Sequence, residues 1–220
     1  AINEGSSTKI RDNSSLLIEM HSFRFSESII PYSIGYVNIR KESEMNGMEF
    51  HQQVRIIPYQ EEWRKRFRQT KEVIIGMLLA QDIECDVRHV GGTAVPNMCS
   101  KPIVDLLVMV KAEDLLPAVQ TLSEEFLCLG ECGRPGRWFF SIGDNEHNAA
   151  YIHLTTPDNP VAKDQLAFLQ LLQTSPELCE EYASLKTRLA EKYPWDRLGY
   201  RTEKGSFIER CLKGEPEEKT

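Results

Sequence analysis

Apolar positions along this chain change period several times, and each change marks a different element. From Glu61 to Ala80 they fall at Trp63, Phe67, Val73, Ile74, Met77 and Leu78, which predicts one amphipathic helix. Asp86 to Val90 reads as a strand running into Gly91-Gly92. Ile103 to Val110 is apolar almost throughout and predicts an interior strand. Glu113 to Phe126 returns to helical spacing, with Pro117 in the first turn, where proline is tolerated. Trp138 to Ile142 and Ala150 to Leu154 predict a hairpin around Gly143–His147. Val161 to Leu172 predicts a helix. Ser175 and Pro176 then supply an N-cap and a first helical residue for another, which runs through Leu178, Tyr182, Leu185 and Leu189 to Tyr193-Pro194. A last helix is predicted over Arg201–Leu212, and Val54–Ile57 reads as a short edge segment. The order describes an α+β fold with a helical C-terminal half.

Residues 1 to about 50 do not continue this pattern. Polar, turn-rich stretches at Asn3–Thr8 and Glu42–Gly47 enclose Ser15–Met20 and Ile29–Ile39, which hold enough apolar residues for short strands. An extension and a real N-terminal hairpin both fit.

Composition narrows the function classes. The 220 residues are 41% hydrophobic and 27% charged, as in globular proteins, and a net charge of −7 argues against broad nucleic-acid binding. The basic cluster Arg64-Lys65-Arg66 with Arg68 follows Glu61-Glu62 and reads as a solvated helix face. No run of about eighteen apolar residues predicts a membrane span, and no secretory signal is visible, so the expected address is the cytoplasm. The six cysteines lack zinc-site spacing and are expected as thiols, although Cys128 and Cys132 could be neighbours.

Chemistry concentrates at residues 88 to 108. Gly91 and Gly92 permit close approach of backbone N–H groups to an anion, and Thr93 adds a hydroxyl. If a helix starts there, its N-terminus would favour phosphate further. Asp105 stands among Ile103, Val104, Leu106 and Leu107, where a carboxylate is costly unless paired. A divalent metal would pair with it; so would Lys101, four residues earlier, or Arg137, whose guanidinium could also clamp an anion. His89 reads as a core histidine bonded to backbone. Trp138, Phe139 and Phe140 read as core rather than as a base-stacking platform, and His147 as solvated. No other catalytic motif competes.

His89-Val90-Gly91-Gly92-Thr93-Ala94-Val95-Pro96, followed by Lys101-Pro102-Ile103-Val104-Asp105-Leu106, resembles the GrpB family. Further echoes are Pro58-Tyr59 with Trp63 and Phe67, Gly133–Phe139, Tyr151–Leu154, and Tyr200 with Lys204 and Phe207-Ile208. They cover about residues 54 to 213. The resemblance implies a nucleotidyltransferase-like mixed sheet flanked by helices, with a domain at 51–213, an extension at 1–50 and a frayed tail at 214–220. Met45 or Met48 would then be a natural start. It implies Asp105 and His153 as catalytic and metal-binding residues, Mg as cofactor, and Gly91, Gly92, Thr93, Lys101, Arg137 and Lys204 as phosphate-binding residues. The expected ligand is a nucleotide or other phosphorylated small molecule; a protein partner is the alternative, and the membrane is not expected. Members are also found joined to dephospho-CoA kinase, which hints at nucleotide or coenzyme-A metabolism. Two departures matter. The second acid of active nucleotidyltransferases is absent after Asp105, and Tyr151 and Gly92 replace the usual histidine and serine. The reaction implied is transfer of a nucleoside monophosphate to a small-molecule or protein hydroxyl. The alternative is a non-catalytic binding or folding-accessory module.

Overall fold

Alternation along five strands builds the layer that everything else covers. The computed structural model describes residues 53–143 and 150–215. The segments anticipated before residue 50, His147 and the last five residues lie outside the described residues. Strands β1 (Cys85–Val90), β2 (Val104–Val110), β3 (Leu127–Cys128), β4 (Trp138–Ile142) and β5 (Ala150–Thr155) form one mixed sheet in the order β1-β2-β5-β4-β3. Only the β2–β5 pair is parallel; it aligns Asp105 with Tyr151 and Leu107 with His153. The expected hairpin is β4–β5, with Phe139 opposite His153 and Ser141 opposite Tyr151. β3 was not anticipated, because two residues are too few to show a period.

One face of the sheet is wholly apolar. Leu106, Val108, Phe140, Ile152 and Leu154 pack with Ile74 and Leu78 of helix α1 (Glu62–Leu79) and with Ala118 and Leu122 of α2 (Leu115–Ser123). Part of the other face is closed by α3 (Pro160–Thr174), where Ala162, Leu166 and Leu169 meet Val90, Leu107 and Met109. Helices α4 (Pro176–Lys192) and α5 (Arg197–Lys213) join α3 through Phe168, Leu172, Tyr182 and Phe207, and the same cluster takes in Val95 and Met98 beyond the glycine bend. The helical half is thereby tied to the loop that follows the bend.

Caps explain where these helices begin. Asn159 accepts the Val161 N–H at 2.9 Å ahead of α3, and Ser175 accepts that of Leu178 at 3.2 Å ahead of α4, as its Ser-Pro pair predicts. α5 starts four residues before the expected Arg201, because Asp196 accepts the Gly199 N–H at 2.9 Å. The Glu113–Phe126 helix is shorter than expected: a 3₁₀ turn at Ala112–Asp114 precedes it, and it ends at Ser123. Val54–Ile57 forms no strand. Ile57 makes a single bridge to Ser100, and the Val54 N–H donates to Pro194 O at 2.8 Å.

Candidate functional site

The glycine bend sits directly over the acid. Gly91 adopts φ +72° and ψ −173°, a conformation essentially reserved for glycine. A Cβ there would also stand 2.6 Å from Asp105 Oδ2. Backbone requirement and side-chain proximity therefore coincide at one residue. After the bend the chain makes only a three-residue 3₁₀ turn, Gly92–Ala94, before Val95 becomes extended and Pro96 follows. The expected helix N-terminus is absent: one short turn aligns too few peptide dipoles to attract phosphate. Asn97 takes positive φ (62°), as an asparagine in a tight turn can.

Asp105 and His153 do come together. They lie on adjacent strands and share a face, with His153 Nε2 3.4 Å from Asp105 Oδ1, a long contact. The Nδ1 of His153 is buried and has no partner among the described residues, so the Asp105 contact at Nε2 is what orients the ring. Phe139 lies beside this imidazole, ring centroids 5.1 Å apart, and beside Tyr151 at 4.9 Å. Phe139 thus faces the site, whereas Phe140 alone of the aromatic triplet is fully buried in the apolar core, with Trp138 packed at its edge.

Arg137 follows the same alternation as Phe139. Its guanidinium lies 4.8 Å from the Phe139 ring centroid, and the residue is 6% exposed. Its Nε has no partner among the described residues. Burial lowers its pKa, and Arg201 on α5 pushes the same way. The loop before it is held rigidly: Thr155 Oγ1 donates to Gly136 O at 2.7 Å, the Gly136 N–H to Glu131 Oε1 at 2.7 Å, and Asn159 Nδ2 to Pro135 O at 3.1 Å. Glu131 opposes the lowering of the Arg137 pKa, but no carboxylate pairs with the guanidinium among the described residues, which suits it to an incoming anion.

Lys101 and Lys204 flank the buried ring of Tyr200, at 5.6 and 5.9 Å from its centroid. Burial depresses the Lys204 pKa, Asp105 opposes that shift, and Arg201 adds to it. Burial raises the phenol of Tyr182, and Asp105 reinforces the shift. Asp105 is therefore within electrostatic reach of both α4 and α5. Two further expectations change. Thr93 is buried, and its hydroxyl is 3.0 Å from His89 Nε2, so it anchors the bend instead of facing open space. His89 bonds that side chain rather than backbone, stacks on Phe67 at 4.6 Å, and is held neutral by burial, with a pKa of about 4.

Pattern reading missed Lys186. It occupies α4 four residues after Tyr182 and three before Leu189, on a stripe otherwise buried. That position was its signal. Six cysteines, Cys128 and Cys132 included, are free thiols, and no helix among the described residues is long and apolar enough to cross a membrane.

Comparison with known proteins gives consistent matches. The family described as GrpB protein matches residues 53–214. The UPF0157 protein YqkA of Bacillus subtilis is 33% identical over 146 residues, covering 64% of this chain; the chain spans only 41% of YqkA. The glutamate-rich protein GrpB of Alkalihalophilus pseudofirmus is 26% identical over 169 residues, covering 73% of this chain and 94% of that protein. Among solved structures, the conserved protein GrpB from Enterococcus faecalis superposes with a TM-score of 0.62 at 27% identity, over 73% of this chain and 98% of that one.

Proposed function

The chain belongs to the GrpB family, and from that premise we propose that the site around Asp105 binds the phosphates of a nucleotide, as a nucleotidyltransferase-like site. One observation carries this reading: a carboxylate beneath a glycine bend, 3.4 Å from an imidazole, on the sheet face where Arg137 is buried with its Nε unpartnered among the described residues. Arg137 and Lys204, with Lys101 beside Tyr200, would neutralise phosphate charge, and the backbone N–H groups of Gly91 and Gly92 would donate to it. Thr93 would hold the bend in shape.

Magnesium fits this donor set only in company. Mg²⁺ accepts one or two carboxylates when phosphates and waters complete its shell, and Asp105 meets that minimum. No group of three His, Cys, Asp or Glu gathers among the described residues, and an imidazole is a poor magnesium ligand, so the ion would arrive with its phosphates. Once bound, it would screen phosphate charge and polarise phosphoryl oxygens. In the transfer we assign to the site, an acceptor hydroxyl attacks the α-phosphorus, its proton passes to solvent water, and pyrophosphate leaves. His153 Nε2, 3.4 Å from Asp105 Oδ1, orients that carboxylate.

The solitary carboxylate favours a second reading, a non-catalytic module that binds a ligand or protein at the same site. Calorimetry with ATP and the other nucleoside triphosphates, with and without Mg²⁺, separates them. The first reading expects Mg²⁺ to tighten binding and Asp105→Asn to abolish that gain. Binding by neither protein under either condition sinks it. Metal-indifferent binding to a protein partner supports the second.

A further inference from the structure

Beneath the glycine bend lies a cation that the reading above leaves unused. Lys186, in the middle of α4, is 3% exposed. Its ammonium donates to the Cys99 carbonyl and to Ser100 Oγ at 3.1 Å. A Cβ at Gly92 would stand 3.0 Å from Lys186 Nζ and closer still to Ser100 Oγ. The missing side chain at residue 92 therefore leaves the bend in contact with an ammonium and a hydroxyl. Two of the three N–H donors are occupied, and among the described residues no carboxylate pairs with the third. The titratable groups facing it are Tyr182, whose ring centroid is 4.8 Å away, the thiols of Cys99 and Cys179, and the Lys204 ammonium. None of them neutralises it at pH 7. A buried ammonium without a counter-charge is a stored demand for an anion.

We propose that Lys186, with the Ser100 hydroxyl it holds, is the positive floor of the phosphate cradle, meeting a phosphoryl group that settles over Gly91 and Gly92. The inference rests on the phosphate reading and deepens it by naming the ligand class. Lys186 adds a cation to Lys204 and Arg137 on this side of the sheet, which suits the charge of a di- or triphosphate better than that of a monophosphate. It also couples binding to a proton. Burial holds the ammonium's pKa at about 8, so at alkaline pH an arriving polyphosphate draws a proton onto Lys186.

The experiment is Mg²⁺-free calorimetry on the full chain at pH 8.5, with ATP and with inorganic tripolyphosphate, in buffers of differing ionisation enthalpy. Wild type should take up a proton on binding. Lys186→Met should bind about tenfold more weakly or worse, without proton uptake. Lys186→Arg, which stays charged at this pH, should restore affinity but not uptake; circular dichroism checks that both variants fold. Binding by Lys186→Met as tight as wild type, or no uptake by wild type, overturns the proposal and leaves the nucleotide reading standing. Tripolyphosphate binding that needs Lys186, without affinity for nucleotides, does the reverse. Failure of wild type to bind either probe overturns the proposal, and the nucleotide reading then stands or falls on the titrations with Mg²⁺.

Discussion

The two faces of the sheet are made by the same strands and have opposite characters. Toward α1 and α2, Leu106, Val108, Phe140, Ile152 and Leu154 point into a core with no charge in it. Toward the helical half, Asp105, Tyr151, His153, Phe139 and Arg137 alternate with them, and Lys186 and Lys204 reach in from the helices. A period-2 strand can carry stability on one side and chemistry on the other without conflict. Among the described residues the buried charges of the sheet lie on one face, beside a bend that requires glycine. Such a face lowers stability and gains only when something anionic arrives.

The largest test removes bulk from the quiet face. Leu106→Ala should cost about 2–5 kcal/mol in denaturant unfolding while leaving phosphate affinity per folded molecule unchanged. A loss of affinity at full folding would show that the faces are not independent. Gly91→Ala comes next. It forces a Cβ onto Asp105 Oδ2 and a residue into a glycine-only conformation, so it should destabilise by about 1–3 kcal/mol and abolish ligand binding together.

The pH dependence of Lys186 is comparable in size and has a definite sign. Its folded pKa of about 8 lies below the ordinary 10.5. Below pH 8 both folded and unfolded chains carry the charge, and a desolvation cost of about 3 kcal/mol weighs on the fold. That cost fades as pH rises from 8 to 10.5. The stability difference between wild type and Lys186→Met should therefore shift in favour of wild type across that window; a flat difference would mean the ammonium is solvated. His89 gives the acid-side counterpart. With a folded pKa of about 4 against the ordinary 6.5, it costs nothing above pH 6.5, and stability falls as pH drops from 6.5 towards 4. His89→Gln should flatten that limb of the urea midpoint against pH. The smallest expected change is Arg137→Met, which replaces a buried guanidinium, its Nε unpartnered among the described residues, by an apolar chain of similar reach. Stability should stay within about 1 kcal/mol of wild type or rise, while tripolyphosphate affinity falls about tenfold.

Local pattern was enough for β1, β2, β4, β5 and the four long helices, because each is long enough to show its period. For Asp105 and His153 the family resemblance implied a common site, but the pairing of β2 with β5 that brings them together belongs to the tertiary structure. Local pattern failed where a few residues decide: the two-residue β3, the early start of α5 through Asp196, and the 3₁₀ turn that replaced a helix N-terminus. It also misjudged Thr93 and His89, whose roles depend on each other's side chains.

Strand and helix periods, the cap at Ser175 and the glycine turn at residues 91 and 92 were legible in the order of residues, since each is a property of a few neighbours along the chain. Which charges face one another was not. Lys186 meets Cys99 and Ser100 across more than eighty positions, and Lys204 and Arg201 reach the sheet from the last helix. Burial and Coulomb interaction depend on distance in space, and packing of α4 and α5 onto the sheet sets that distance.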